Sequence, residues 1–102
     1  MDSLGMNVST LYNNTLNLYL SATIPGDQAL LEGQLRTLSG QLQKLIDETL
    51  PLDDQKYKDA VKAVANANQS VQSAINDLNA VANAIGQIAQ AISTIAKLAA
   101  AL

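Results

Sequence analysis

The chain has 102 residues, a formal net charge of −3, and neither Cys nor His. This length limits it to one domain at most, and the missing residues remove disulfides, thiolate metal ligands and every catalytic arrangement that needs imidazole. Six basic residues in all give little electrostatic basis for binding phosphates or anionic lipid. We therefore expect no enzyme, no metal, no cofactor and no nucleic acid partner.

The composition favours an all-α fold. Its aromatic residues are three Tyr, with no Phe or Trp, so the core has to be built from Leu, Ile, Val and Ala. Ala and Leu are strong helix formers, and only two Pro and five Gly interrupt them.

The first predicted element is a helix over residues 7–22. Apolar residues recur along one side of this segment at helical spacing, and Asn, Ser and Thr occupy the other side. The alternative is a strand over residues 15–21, because Leu16, Leu18 and Leu20 alternate with Asn17 and Tyr19. We prefer the helix because a lone strand has no partner elsewhere in the chain.

The second predicted helix covers residues 27–49. It follows a breaker at Ile24-Pro25-Gly26, with Asp27 placed as its N-cap. Pro51 then forces a turn, and Asp53 and Asp54 supply a cap for the next helix.

Two glycines of the second helix, Gly33 and Gly40, lie seven residues apart on a face turned away from its leucines. Each costs about 1 kcal/mol relative to Ala in a helix interior. One explanation is a tolerant exposed surface. The other is the close approach of another backbone, from the first helix or a second subunit. Gly86 raises the same question further along the chain.

The third predicted helix covers residues 54–101 and carries one apolar stripe throughout. Every seventh residue from Tyr57 gives Tyr57, Val64, Val71, Leu78, Ile85, Ile92 and Ala99, and a second row gives Ala60, Ala67, Ala74, Val81, Ile88, Ile95 and Leu102. This repeat is typical of helical bundles and coiled coils. A break near Asp77 would give a four-helix bundle, but the stripe keeps its phase through that point, so the sequence favours one continuous helix.

The predicted fold is a single all-α domain over residues 1–102, an antiparallel hairpin or bundle of three helices with coiled-coil-like packing. The second helix and the start of the third should form the hairpin, with their apolar side chains in its core. This predicted hairpin core consists of Leu31, Leu35, Leu38, Leu42, Leu45, Val61, Val64 and Val71.

The predicted functional feature is the last quarter of the chain. From Leu78 to Ala96 no residue is charged, and amides and a hydroxyl line the side opposite the isoleucines. An uncharged polar face indicates a surface that other protein covers. The apolar side, which we call the interaction seam, consists of Leu78, Val81, Ile85, Ile88, Ile92, Ile95 and Leu102. It is expected to serve either intramolecular packing or association with another chain.

The sequence therefore predicts a non-enzymatic interaction protein whose apolar helix faces bind a second copy, as a homo-oligomer, or another helical protein. The first alternative is a membrane-active protein that uses residues 78–102 as a pore-forming or interfacial helix. A spanning helix is disfavoured because amides recur every three or four residues there. A neutralising or chaperone-like partner of a larger protein is a further alternative.

In its richness in Ala, Asn, Gln and Ser, and in its lack of Cys, His and Trp, the chain resembles secreted bacterial filament subunits. That resemblance implies terminal helices that pack together, and it makes a small secreted subunit another alternative. The N-terminus has no basic region followed by an apolar run, so no conventional secretory signal is expected. This leaves a cytoplasmic protein or export by a non-classical route.

Overall fold

A computed structural model describes residues 4–47 and 55–100 of the chain. Its elements are α1 (Leu4–Ser21), α2 (Pro25–Asp47), α3 (Gln55–Asn76), a 3₁₀ turn (Leu78–Ala80) and α4 (Val81–Ala100). The all-α prediction is confirmed, as is the preference for a helix over a strand at residues 15–21. The described helices pack into a bundle of 39 × 21 × 18 Å.

The preference for one continuous helix over residues 54–101 is wrong. The chain leaves helical geometry at Asp77, whose backbone is extended with φ −143° and ψ 101°. The Asp77 carboxylate accepts a hydrogen bond from the backbone N–H of Asn79 at 3.1 Å and so caps the new helical segment. Because α4 folds back onto α3, the two halves of the apolar stripe cover each other, which a single rod could not achieve.

The neighbours of each helix also differ from the prediction. Among the described residues, α1 and α4 each pack on both α2 and α3, whereas α2 and α3 lie diagonally opposite each other. The predicted hairpin between the second and third helices is therefore wrong. The short turns instead make α1–α2 and α3–α4 the two antiparallel hairpins. A heptad repeat fixes which face of a helix is buried, but not which neighbour covers it.

The two hairpins pack against each other through two pairs of helices. The first pair is α1 and α3, which run parallel. The backbone N–H of Leu4 donates to the Tyr57 hydroxyl at 3.0 Å. Ten residues further along α1, Asn14 Nδ2 donates to Asn68 Oδ1, also at 3.0 Å. Because the residue numbers rise together along both helices, α1 and α3 point the same way.

The second such pair is α2 and α4, which are parallel as well. Gln34 Nε2 donates to the main-chain oxygen of Ile85 at 2.9 Å, and Gln41 Nε2 donates to that of Ile92 at 3.0 Å. The two contacts lie one heptad apart on both helices. As a result the turn after α1 and the turn after α3 lie at the same end of the bundle, which we call the turn end.

The helix α2 begins two residues earlier than predicted, at Pro25, because Pro is favoured at the first helical position. Asp27 lies in the first turn, where a carboxylate interacts favourably with the helix dipole. Gln28 Nε2 donates to the carbonyl of Ala22 at 2.6 Å and ties the helix start to the preceding turn. The caps predicted at Asp53 and Asp54 lie outside the described residues.

Apart from the buried ring of Tyr57, the core is aliphatic, and it runs the length of the bundle. Its buried members are Leu4, Val8, Leu11 and Leu18 of α1, Leu31, Leu35 and Leu38 of α2, Val64 and Val71 of α3, and Val81, Ile88, Ile95 and Leu98 of α4. Small residues of α3 and α4 complete it: Ala60, Ala67, Ala74, Ala84 and Ala91 are each fully buried. Those alanines allow these two helices to pack closely.

The Tyr57 hydroxyl joins the start of α1 to α3. Removing this hydroxyl tests the parallel arrangement of the two helices. We expect Tyr57→Phe to lower the free energy of unfolding by about 0.5–1.5 kcal/mol, since the buried ring stays and the hydrogen bond to Leu4 is lost. Urea unfolding followed by circular dichroism measures this. Tyr19→Phe, at a half-buried position, is the matched control, and an equal loss there would contradict the assignment.

Candidate interaction surface

The structure places most of the predicted interaction seam inside the bundle. Val81, Ile88 and Ile95 are buried, and Ile85 and Ile92 are half-buried against the core. Their apolar faces are thus covered by the chain's own helices, the intramolecular packing that the sequence left open. Leu78 stays 44% exposed, and Leu102 lies outside the described residues.

The predicted hairpin core is also distributed through the bundle, although its two helices are not neighbours. Leu31, Leu35, Leu38, Val64 and Val71 are buried, and Leu42 and Val61 are half-buried against the core. Leu45 lies in α2, but its side chain is outside the part of the chain that the structure describes. These side chains therefore hold the monomer together.

The turn end carries most of the large hydrophobic side chains that are exposed in the described residues. Among the described residues, the exposed large hydrophobic side chains are Met6 (60%), Leu20 (72%), Ile24 (60%), Leu30 (57%) and Leu78 (44%). All but Met6 lie at or near the turn end: in the last turn of α1, in the α1–α2 turn, in the second turn of α2 and at the start of the 3₁₀ turn. We call Leu20, Ile24, Leu30 and Leu78 the turn-end residues.

The sequence pattern does not identify three of these four as exposed, because it places Leu20 on the apolar side of the first helix, Leu30 at the edge of the leucine row and Ile24 in the breaker. Leu20 lies on the outer row of α1, one turn beyond the exposed Asn17. Leu30 precedes the buried Leu31 and points away from the core. An apolar residue next to a chain reversal was the available signal.

The turn end has little charge. In the two turns and the first turn of α2, the charged residues are Asp27 and Asp77. The positive charges near the start of α3, such as Lys58 and Lys62, lie toward the opposite end of the bundle. The turn end thus combines exposed apolar side chains with uncharged polar residues, such as Thr23 and Asn79, and two acidic residues.

The outer side of α3 and α4 carries two open, shallow grooves. The one nearer the turn end has a volume of about 460 Å³ and is lined only by amides and hydroxyls: Gln69, Ser70, Gln72, Ser73, Asn76 and Asn83. The other, of about 240 Å³, includes Asp59 and Lys62 together with Gln87 and Gln90. The uncharged polar face predicted opposite the isoleucines thus forms part of these grooves.

Two amide side chains that the sequence reasoning passed over bridge α2 and α4. While their Nε2 groups bond to carbonyls of α4, Gln34 Oε1 and Gln41 Oε1 are buried without a hydrogen-bond partner. Gln34 and Gln41 are seven residues apart beside the row of leucines in α2. This spacing was the sequence feature that could have predicted their contacts with a neighbouring helix. Buried amides of this kind favour one register over its neighbours.

Within the described residues, none of the helices combines the length and the hydropathy that a membrane span requires. Within residues 4–47 and 55–100, no three acidic, His or Cys side chains come together in a group that could hold a metal ion. Comparisons with protein-family models, curated proteins and solved structures gave no significant match.

Proposed function

We propose that this chain is a non-enzymatic helical interaction protein that self-associates end to end. The observation that supports this proposal is the exposure of the four turn-end residues at one end of a bundle whose other apolar faces are largely covered. Large apolar side chains that are exposed together at one end of a soluble protein indicate a contact site. The contact surface would thus be the turn end rather than the isoleucines of α4.

A second copy is the partner that this surface fits best. Aliphatic side chains complement themselves, and a two-fold contact brings the same patch of each copy together. The turn end offers no cation that would select an acidic partner, since its charged residues are Asp27 and Asp77. Repulsion between these carboxylates across the contact would be screened by salt, so association should strengthen as the salt concentration rises.

The available energy matches a reversible contact. Complete burial of a Leu or Ile side chain is worth roughly 1.5–3 kcal/mol, and the turn-end residues are 44–72% exposed. Covering them on both copies would yield about 7–14 kcal/mol in gross terms. Association itself costs about 4–15 kcal/mol in lost freedom. A concentration-dependent dimer is therefore expected rather than a permanent one.

Light scattering across a dilution series tests this function. The native chain should shift from monomer to dimer mass as its concentration rises, and Leu20→Gln/Leu78→Gln should stay monomeric over the same range. Met6→Gln is the matched control, because Met6 is similarly exposed but lies near the opposite end; it should dimerise like the native chain.

A native chain that is monomeric at every concentration would overturn the proposal. If that monomer also floated with lipid vesicles, the membrane-active alternative would take its place. If the doubly substituted chain still formed dimers, the contact would have to lie on a surface other than the turn end.

A further inference from the structure

The turn between α3 and α4 differs from the turn between α1 and α2 in one decisive respect. The α1–α2 turn leads into Pro25, which keeps the preceding residue out of helical geometry. The segment from Asn76 to Ala80 contains neither Gly nor Pro, and Asp77 is its extended residue. Only the second turn can therefore become helical without a change of sequence.

The spacing of the apolar stripe continues across this turn as it would in a continuous helix. The row through Val64, Val71, Leu78, Ile85 and Ile92 keeps its seven-residue phase across the turn. Every other member of that list is buried or half-buried, whereas Leu78 is exposed. The sequence thus retains an apolar residue at a position that the closed bundle does not use.

Hydrogen bonding does not oppose straightening. In the closed turn Asp77 accepts two bonds, from the backbone N–H of Ala80 to its carbonyl at 2.9 Å and from that of Asn79 to its carboxylate at 3.1 Å. In a continuous helix the N–H groups of residues 78–81 would instead bond to the carbonyls four residues earlier. The two hydrogen bonds that straightening breaks are therefore replaced by helical ones.

We infer that the α3–α4 turn is a hinge through which two copies of the chain exchange α4. This inference rests on the proposed end-to-end association and describes its structure. With Asp77 helical, α3 and α4 of one copy form a single helix, and its α4 half packs on α2 and α3 of the other copy. Exchange of an identical element is a low-cost route to a dimer, since it reuses the monomer's contacts.

The exchanged dimer is consistent with the geometry of the bundle. Because α3 ends and α4 begins at the turn end, an α4 that continues past this end enters an inverted second copy in the direction of the α4 it replaces. The two copies then meet turn end to turn end around a two-fold axis. The two Leu78 side chains lie near this axis, and Leu20, Ile24 and Leu30 border the junction.

A distance measurement within one chain separates this dimer from a simple end-to-end contact. Lys58 and Lys97 are both exposed, and in the closed bundle they lie toward the same end of a body with a cross-section of 21 × 18 Å. In a continuous helix they would be about 58 Å apart, at 1.5 Å per residue. The chain contains no native Cys, so spin labels on Lys58→Cys/Lys97→Cys report only this pair.

The labelled chain is refolded at high concentration with an excess of unlabelled native chain, so that each dimer holds at most one labelled copy. The isolated dimer should give the long distance and the isolated monomer the short one. A dimer with only the short distance would overturn the exchange while the proposed function stood. The absence of any dimer would overturn both.

Substitutions at the hinge provide an independent test. Asp77→Ala removes the carboxylate that caps Asn79 and introduces a strong helix former. Because two hinges open per dimer, the dimer association constant should rise at least about tenfold. Asp77→Asn is the matched control: it removes the same charge and keeps the cap, so it should change association much less. Equal increases in both variants would assign the effect to charge and contradict a hinge.

A proline at position 78 should act in the opposite direction. It fits the first position after a cap, and the extended backbone of Asp77 suits a residue that precedes proline. Leu78→Pro should therefore fold as the closed monomer and abolish the long distance. Persistence of the long distance in this variant would overturn the exchange.

Discussion

Leu31→Ala should lower the free energy of unfolding by about 2–5 kcal/mol, whereas Leu30→Ala should change it by less than about 0.5 kcal/mol. The two leucines are adjacent in sequence, but Leu31 is fully buried and Leu30 is 57% exposed. Proteins of this size commonly have a total stability of roughly 5–15 kcal/mol. The first substitution thus removes a large share of it.

Urea unfolding at low protein concentration, where the monomer dominates, measures both variants. Leu30→Ala serves as the internal control because it deletes the same atoms from the same helix. Similar losses in the two variants would mean that α2 presents a different face to the core. A larger loss in Leu30→Ala would contradict the fold.

Replacing three glycines with alanine should raise the free energy of unfolding by about 2–3 kcal/mol in total. Gly33, Gly40 and Gly86 all lie inside helices, are exposed, and have no atom within 4 Å of the position that a Cβ would take. Alanine would therefore gain helix propensity without steric cost. The triple variant should melt at a distinctly higher temperature.

Gly26→Ala is the control for this series, because Gly26 also has open space around it but lies in the first turn of α2. We expect a smaller gain there. Within the monomer the open space supports a tolerant surface as the explanation for Gly33 and Gly40. If the triple variant failed to gain stability, or lost its ability to associate, close approach of a second subunit would be the better explanation.

Much of the fold could be predicted from the spacing of apolar residues. The heptad rows identified buried positions such as Val64 and Val71 in α3 and Ile88 in α4, and the breaker at Pro25 marked the first chain reversal. These features depend on local periodicity, which a sequence displays directly. The predicted buried face agrees with the structure best in α3, whereas Leu20 of α1 is exposed and the buried face of α4 also includes Ala84, Ala91 and Leu98.

The pairing of helices and the break at Asp77 could not be predicted in the same way. An apolar stripe in constant phase fits both a straight rod and a rod folded at one residue, and the choice depends on how much apolar surface the remaining helices can cover. The heptad rows also lack directional information. The contacts of Gln34, Gln41 and Asn68 supply it, and they depend on positions far apart in the sequence.

The four turn-end residues show a related limit. The sequence alone does not show that apolar residues such as Leu20 and Leu30 belong to one surface, because this depends on how the helices are placed in space. In the folded chain the ends of α1 and α3 and the starts of α2 and α4 come together. A surface made by converging helix ends has no linear signature.

The parallel docking of the two hairpins also bears on how quickly the chain folds. Each hairpin closes through a short connection, but the polar contacts between hairpins join residues 51–61 positions apart, as in Gln34 with Ile85 and Asn68 with Asn7. Sequence-distant contacts slow folding because loop closure must precede them. Hairpin formation is therefore expected to be fast, and the encounter of the two preformed hairpins to set the rate.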